Sequence, residues 1–179
     1  MRILITGING FVGNNIAREL LSNGHEIYGV DNLFNSHTNQ INKEINFLEC
    51  DISNELWRDK LNGIEFDAVI HLAAQSSGEV SFENPLYDLD SNVKGTMQVC
   101  IFCKDNNIEQ IIFASSMSIY GEIDGEVVEH DQTLPLSLYG AGKKASEDYL
   151  RIFSESYNIK VTSLRLFNIY GNGQNLTNM

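Results

Sequence analysis

The chain has 179 residues, 42% of them hydrophobic, and carries a formal net charge of -12 with an isoelectric point near 4.6. This length and apolar content suffice for one domain with a buried core and argue against a disordered chain. The acidic charge argues against a nucleic-acid partner, because such partners are bound by clustered Lys and Arg that neutralise backbone phosphates.

The N-terminal segment and the cysteine count predict where the protein resides. After Met1 and Arg2 comes only the short apolar stretch from Ile3 to Ile5, and nowhere do about 18 apolar residues run together. A secretory signal or a membrane-spanning helix needs a longer apolar stretch. The odd count of three cysteines fits a reducing compartment. We therefore expect a soluble, cytoplasmic protein with no membrane partner.

Strand-length apolar runs alternate with amphipathic stretches along the chain. Because the runs are nearly continuous in Ile, Val, Leu and Phe, we expect six internal, parallel strands joined by helical crossovers. The predicted strands span residues 2–6, 25–30, 46–50, 68–72, 110–114 and 160–166, and the main helices span 10–22, 86–106 and 139–157. This order predicts a single doubly wound α/β (Rossmann) domain that binds ligands at the carboxyl ends of its strands.

Three glycines, Gly7, Gly10 and Gly13, lie between the first strand and the first helix. In this position glycines permit a tight turn, a close approach of the backbone to a pyrophosphate and close helix packing. The N-terminus of the helix adds partial positive charge. The loop therefore predicts a dinucleotide site.

Two aspartates follow the next strands at the same edge of the predicted sheet. Asp31 ends the second strand, where a carboxylate accepts hydrogen bonds from the adenosine ribose. A 2'-phosphate would be repelled there and no Arg follows, so we expect NAD rather than NADP. Asp51 closes the third strand and is predicted to contact the adenine amino group. The alternative is that Asp51 caps the next helix, a place that Ser53 also suits.

The pair Cys100 and Cys103 has the spacing of a metal or redox motif. A zinc ribbon needs a second such pair, and a redox motif begins a helix that follows a strand. These cysteines instead lie inside an apolar run, so we expect core packing and no metal site.

Tyr139 and Lys143 are four residues apart in a predicted helix, which puts them on one face about 5 to 6 Å apart. A free phenol has a pKa of about 10, and its use as a base near neutral pH requires nearby cations to lower that value by about 3. Lys143 and the positive nicotinamide ring are the expected cations, and Lys143 also suits the nicotinamide ribose. Ser116 follows the fifth strand and is predicted to hydrogen-bond the substrate oxygen. His71, at the end of the fourth strand, is expected to be a hydrogen-bonded core residue rather than a base.

These motifs together resemble the extended short-chain dehydrogenase/reductase family. The resemblance is to its NAD-dependent nucleotide-sugar epimerases and dehydratases, and most closely to the UDP-glucose 4-epimerase type. It rests on residues 6–13, 31–36, 50–52, 71–74, 92–96, 115–121, 139–143 and 165–171. The chain departs from the family pattern at Leu138, where a proline is usual, and at Gly142, where a serine is usual.

The resemblance implies a set of site residues. The catalytic residues would be Ser116, Tyr139 and Lys143, with Ser116 and Asn168 also contacting the nucleotide sugar. The residues around NAD would be Gly7, Asn9, Gly10, Phe11, Val12, Gly13, Asp31, Asn32, Asn35, Ser36, Asp51, Ile52, Leu72, Ala73, Ala74, Asn92, Tyr139, Lys143 and Phe167.

The resemblance also implies a reaction. Ionised Tyr139 would take a proton from a sugar hydroxyl while NAD accepts hydride from the same carbon, and the keto sugar would then take the hydride back on its other face. Dehydratases carry an acidic pair after the catalytic hydroxyl, where this chain has Met117 and Ser118, and the glutamate of decarboxylating relatives is missing too. We therefore expect a nucleotide-sugar 4-epimerase. The alternatives are an NAD-binding module without turnover and a 4,6-dehydratase or reductase of the same family.

The family further implies an assembly and a domain division. Its members often form homodimers through the two long helices, predicted here at 86–106 and 139–157. Its members also continue beyond the sixth strand into a lobe that binds the sugar nucleotide. We therefore expect an NAD-binding domain at 1–171 and the start of a truncated substrate-binding region at 172–179.

Overall fold

The computed structural model describes residues 1–34, 42–171 and 173–174 of the chain. Its centre is a sheet of six parallel strands in the order β3-β2-β1-β4-β5-β6. The strands are β1 (Arg2–Thr6), β2 (Glu26–Asp31), β3 (Asn46–Glu49), β4 (Ala68–His71), β5 (Gln110–Ser116) and β6 (Lys160–Leu166). The predicted doubly wound fold is confirmed. The strand order reverses between β1 and β4, so a crevice is expected there at the carboxyl ends.

Four of the five crossovers contain a helix, and between β2 and β3 the described residues form none. The helices are α1 (Phe11–Ser22), α2 (Leu56–Leu61), α3 (Gly78–Glu83), α4 (Pro85–Leu89), α5 (Gly95–Asp105) and α6 (Leu138–Tyr157). The helix predicted at 86–106 is α4 and α5 joined by the π-helical turn Asp90–Lys94. The helix α3 was not predicted, and α2 was expected only as a helix after Asp51 without bounds, because six residues are too few to show a helical period.

The core lies on both faces of the sheet. One face holds the larger cluster, which includes Trp57, Phe102 and both Cys100 and Cys103, and the other packs β1 and β2 against α1. Burial raises the pKa of Cys100 to about 12, so this thiol stays protonated and unreactive at neutral pH. Core packing of the cysteine pair is therefore confirmed.

The prediction that all six strands are internal is wrong for two of them. In the described part of the chain, β3 and β6 form the two edges of the sheet. Leu164 of the edge strand β6 is 44% exposed. An apolar strand pattern does not reveal whether a covering element exists on each face. No helix among the described residues is long and apolar enough to cross a membrane.

Candidate functional site

The turn between β1 and α1 requires glycine at two positions. Gly7 has a φ of +71°, and a Cβ on it would lie 2.6 Å from the backbone nitrogen of Ala73. A Cβ on Gly13 would lie 2.3 Å from the carbonyl oxygen of Gly7. The start of α1 therefore packs directly on the turn. Gly10 is the N-cap of α1 and makes no side-chain hydrogen bond to the helix. The backbone N–H groups of the first turn, including that of Phe11, are therefore left to bind an anionic ligand.

Asp31 lies on the same rim as the glycine turn. Its two carboxylate oxygens accept hydrogen bonds from the backbone N–H of Asn9 at 2.9 Å and of Leu33 at 2.8 Å. Each oxygen has a further lone pair for a ribose hydroxyl. These bonds fix the carboxylate next to the loop that follows β2. Two further predicted cofactor residues, Asn35 and Ser36, lie outside the described residues.

Asp51 follows β3 and faces Asn32 across the rim. It accepts hydrogen bonds from the Asn32 side-chain amide and the Ser53 backbone, both at 2.8 Å. Burial alone would raise the pKa of Asp51, but these hydrogen bonds and Lys94 bring it below its ordinary value. The helix-capping alternative is wrong, because α2 has Glu55 at its N-cap.

His71 joins the ends of β1 and β4 to α5. Its Nδ1 lies 2.7 Å from the Thr6 hydroxyl and its Nε2 lies 3.0 Å from the Thr96 hydroxyl. The ring is buried, and burial lowers the pKa of His71 to about 3. It is the neutral, hydrogen-bonded core residue expected from the sequence. The next residues, Leu72 and Ala73, lie against the Gly7 turn and border the crevice.

Ser116 and Tyr139 meet at the other half of the crevice. Ser116 ends β5, and its hydroxyl accepts the Ser118 backbone N–H at 3.1 Å. The same hydroxyl is near the Tyr139 phenol, where it favours the ionised form of the phenol. The neighbouring hydroxyl of Ser115 instead donates to Glu147. Tyr139 is the second residue of α6. Ser137 is the N-cap of this helix, and its hydroxyl accepts a hydrogen bond from the backbone N–H of Gly140. Ser116 is thus the hydroxyl that shares the crevice with the phenol.

The ionisation of Tyr139 differs from the expectation. Burial raises the pKa of Tyr139, the nearby Ser116 hydroxyl opposes this rise, and the charge of Asp88 adds to it. The expected lowering by Lys143 is not found, so that part of the prediction is wrong for the protein alone. The physical reason is that burial takes the charged phenolate out of water and so disfavours ionisation.

Lys143 is the neighbouring buried cation. Only 3% of the residue is exposed, and its Nζ donates to the Ala114 carbonyl oxygen at 2.9 Å. Nζ lies 4.8 Å from the ring centroid of Phe113 and 5.9 Å from that of Tyr139. Burial lowers the pKa of Lys143 to about 8. The four-residue spacing therefore does bring the amine and the phenol ring to one place.

Asn92 lies in the π-helical turn and is 1% exposed. Its backbone carbonyl oxygen accepts hydrogen bonds from the hydroxyls of Thr96 at 2.6 Å and Ser146 at 2.8 Å. The bond from Ser146 ties the turn to α6. Its side-chain amide donates to Asp88 at 2.9 Å. Its Oδ1 is buried with no hydrogen-bond partner among the described residues. The π turn thus holds Asn92 between α4 and α6.

Three other predicted residues have simpler surroundings. Ile52 is 5% exposed and belongs to the larger core cluster, so its side chain packs inward. Phe167 and Asn168 directly follow β6 and are exposed. Among the described residues, neither of these two makes a hydrogen bond to Tyr139 or its neighbours.

Sequence reasoning missed Asp88 and Gln75, which are buried beside Asn92 and bonded to one another at 2.7 Å. One signal was available, because Asp88 and Asn92 are four residues apart on the apolar side of a predicted helix. A carboxylate in that position needs a partner. Gln75 gave no signal, because it lies in an irregular segment.

Comparisons with known proteins agree with this geometry. The model of the NAD dependent epimerase/dehydratase family matches residues 3–179. A putative UDP-glucose 4-epimerase of Methanocaldococcus jannaschii is 37% identical over 174 residues, which cover 96% of this chain and 57% of that protein. The UDP-glucuronate 4-epimerase of Thermodesulfobacterium geofontis is 32% identical over 183 residues, which cover 94% of this chain and 56% of that protein.

Solved structures agree as well. The UDP-glucose 4-epimerase of Thermus thermophilus, in complex with NAD, has a TM-score of 0.94 and 34% identity, over 98% of this chain and 58% of that one. The UDP-N-acetylglucosamine 4-epimerase of Methanobrevibacter ruminantium has a TM-score of 0.89 and 32% identity, over 97% and 57%. The chain thus spans a little over half the length of the relatives that it matches. It belongs to the NAD dependent epimerase/dehydratase family, within the extended short-chain dehydrogenases/reductases.

Proposed function

We propose that this chain is the cofactor-binding part of an epimerase that inverts C4 of a nucleotide sugar with NAD. The observation that carries the proposal is that Nζ of Lys143 lies 5.9 Å from the Tyr139 ring, beside Ser116 at the end of β5, and that the glycine turn follows β1 at the same carboxyl edge of the parallel sheet. The family is NAD dependent, and several similar proteins are named as 4-epimerases of UDP sugars. These names support C4 as the carbon that reacts.

The residues present fit NAD. The turn at Gly7 and Gly13 excludes any Cβ, and no side chain caps the helix behind it, so the pyrophosphate has room and donors. Asp31 is placed to accept the adenosine ribose hydroxyls, and Asp51 is placed to accept the adenine amino group. Asn9, Asn32 and the residues from Leu72 to Ala74 complete the proposed cofactor site, with Phe167 on the nicotinamide side.

The charge of Asp31 supports NAD over NADP, because a 2'-phosphate would stand beside a fixed carboxylate. We expect NADP to bind at least tenfold more weakly than NAD to the wild-type protein. Asp31→Asn should narrow this gap, since it removes the charge and keeps the shape. Isothermal titration with both dinucleotides measures the difference. Equal affinities in the wild-type protein would refute the like-charge argument.

The proposed chemistry assigns a role to each residue of the crevice. Tyr139 takes the proton of the sugar C4 hydroxyl and later returns it, while Ser116 holds the same oxygen as its charge changes. When bound, NAD supplies the hydride acceptor and a positive charge close to the phenol. Because burial raises the pKa of Tyr139, the phenol stays protonated until such a charge is near. Lys143 contributes its buried ammonium and a donor for the nicotinamide ribose. Asn168 is proposed to contact the substrate phosphates.

The experiment that tests the function is Tyr139→Phe in the full-length protein. General acid–base catalysis contributes about 100- to 10,000-fold, so turnover should fall by at least about 100-fold. NAD affinity should stay within a few-fold, since only a hydroxyl is lost. Interconversion of UDP sugars is followed by NMR, with UDP-glucose and UDP-glucuronate as the first substrates.

Tyr149→Phe is the matched control. Tyr149 lies on the same helix, is 42% exposed and is outside the crevice, so this variant should keep wild-type turnover. Retention of most activity in Tyr139→Phe would eliminate Tyr139 as the base. Elimination of water instead of epimerisation would favour a dehydratase. Absence of turnover on every UDP, GDP, CDP and dTDP sugar would favour a binding module.

We also propose a homodimer through the two long helical segments. Exposed apolar side chains occur on both segments, with Leu86 and Leu89 on α4 and Ile152 on α6. Analytical ultracentrifugation of the full-length protein tests this, with Leu86→Glu expected to weaken association. A wild-type protein that stays monomeric at all concentrations would contradict it.

A further inference from the structure

Two aromatic rings meet at the carboxyl edge of the sheet. Phe34 lies in the segment after β2, and Tyr87 lies on α4, which follows β4. Their ring centroids are 5.3 Å apart, with an angle of 47° between the ring planes. The strand order reverses between β1 and β4, so β2 belongs to one half of the sheet and β4 to the other. The contact therefore joins the two halves across the mouth of the crevice.

The backbone before Phe34 is held in an unusual conformation. Leu33 has a φ of +58°, in the left-handed region that a residue with a bulky side chain rarely adopts. The backbone N–H of Leu33 donates to Asp31 at 2.8 Å, and that of Phe34 donates to Asn32 at 3.1 Å. Such strained residues persist only where their surroundings hold them, and they cluster at ligand sites. The rim of the crevice thus fixes the course of the chain up to Phe34.

The opposite ring stands on an anchored helix. Asn84 is the N-cap of α4, and its side-chain oxygen accepts the backbone N–H of Tyr87 at 3.3 Å. Pro85 occupies the first turn of this helix. The next residue after Tyr87, Asp88, is buried and accepts a hydrogen bond from the Gln75 amide at 2.7 Å, which ties α4 to the segment after β4. Tyr87 is therefore held beside the crevice by its own helix.

The ring contact is too exposed to be part of the core. Phe34 is 68% exposed, Tyr87 is half-buried, and neither belongs to the two core clusters. Core packing therefore does not account for the contact. The proposed NAD site spans the same boundary between the halves of the sheet, from Asp31 at the end of β2 to Tyr139 on α6. A contact at this place would enclose a dinucleotide bound in the crevice.

We propose that Phe34 and Tyr87 form an aromatic strap over the cofactor crevice, which slows the release of bound NAD. The strap closes the mouth of the crevice, and separation of the two rings opens it. The inference rests on the part of the proposed function that places NAD in this crevice. It assigns the two residues to retention of the cofactor rather than to the reaction. Retention suits the proposed epimerisation, which returns the hydride to the sugar and needs no exchange of cofactor.

Release of a bound dinucleotide from the full-length protein tests the strap. The protein is loaded with NADH, whose fluorescence reports binding, and an excess of NAD displaces it in a stopped-flow measurement. Phe34→Ala and Tyr87→Ala should each speed release about two- to tenfold, because each removes the ring contact. Tyr87→Phe keeps the ring and should release NADH at the wild-type rate. An unchanged rate in either alanine variant would overturn the proposal.

The double alanine variant separates a paired action from two independent ones. If the rings act together, this variant should release NADH no faster than the faster single variant, because the effects of contacting residues do not add. Multiplication of the two single effects would contradict a strap.

Phe82→Ala is the matched control. Phe82 of α3 is 62% exposed and makes no ring contact among the described residues, so its removal should leave the release rate unchanged. Equal acceleration in this variant would contradict a specific role for Phe34 and Tyr87. Fluorescence of the buried Trp57 during urea unfolding verifies that each variant is folded.

The outcomes distinguish failure of the strap from failure of the proposed function. Release is measured without sugar, so its result is independent of the Tyr139→Phe turnover test. A wild-type protein that binds no NADH would overturn the cofactor site and the strap together. Binding of NADH with unaltered release in the alanine variants would overturn the strap alone.

Discussion

Replacing the buried Lys143 by methionine should make the folded protein more stable at neutral pH. Methionine has a similar length and no charge, so it fills the space between Phe113 and Tyr139 without a buried ammonium. The variant should at the same time lose turnover, because the proposed function needs that charge. Stability and activity are thus expected to change in opposite directions at one residue.

The magnitude follows from the pKa of Lys143, which burial lowers from 10.5 to about 8. Charging this amine therefore costs about 3 kcal/mol more in the folded protein than in the unfolded chain. The attraction to Asp88 is already included in that pKa. The uncharged amine also hydrogen-bonds the Ala114 carbonyl, and losing this bond to a buried acceptor takes back about 1 to 2 kcal/mol. A net gain of about 1 to 2 kcal/mol is expected at pH 7.

The pH dependence gives a second, independent check. Between about 8 and 10.5 the unfolded chain holds the Lys143 proton and the folded protein has lost it, so the wild-type protein gains stability as pH rises through this window. Lys143→Met has no such gain. Its advantage should therefore be full below pH 8 and shrink above it.

Urea unfolding of the wild-type protein and the variant at pH 7 and about pH 10 measures both effects. The single tryptophan, Trp57, is fully buried and reports unfolding by fluorescence. The control is Lys144→Met, because Lys144 is half-exposed and its ion pair with Asp148 at 2.9 Å contributes under about 1 kcal/mol. A Lys143→Met protein that is less stable than wild type at pH 7, or whose difference from wild type is the same at both pH values, would refute the reasoning.

The glycine turn and the core cysteines give two further predictions. Gly7→Ala should lower the free energy of unfolding by several kcal/mol and abolish NAD binding. Gly24→Ala should lower it by only about 1 to 2 kcal/mol, because Gly24 has a similar φ of +78° but no described atom within 4 Å of an added Cβ. Equal losses of stability in urea unfolding would show that the contact between the added Cβ of residue 7 and the crevice is unimportant. Iodoacetamide at pH 8 should label Cys50 of the native protein and leave Cys100 and Cys103 unmodified, since both are fully buried with raised pKa values. Mass spectrometry checks this, and labelling of either core cysteine without unfolding would contradict the burial argument.

Local patterns were enough to predict most of the fold. The strands are near-continuous apolar runs. The spacing of Gly7, Gly10 and Gly13 is one that few structures other than a dinucleotide-binding turn require. The pairing of Tyr139 with Lys143 was also predictable, because one helical turn brings residues four apart together. The short helix α3 and the exposure of β6 were not predictable. The first is too short for a period, and the second depends on what covers an edge strand.

The sequence by itself determined the order of the strands and helices, the place of the glycine turn and the residue types at the crevice, because these depend on short spacings along the chain. Only the tertiary structure decided their electrostatics. It buries Tyr139, which raises the pKa of the phenol, and it buries both Asp88 of α4 and Lys143 of α6. Burial and charge depend on which distant segments pack together, and α4 packs against α6 although α5 and β5 separate the two helices along the chain.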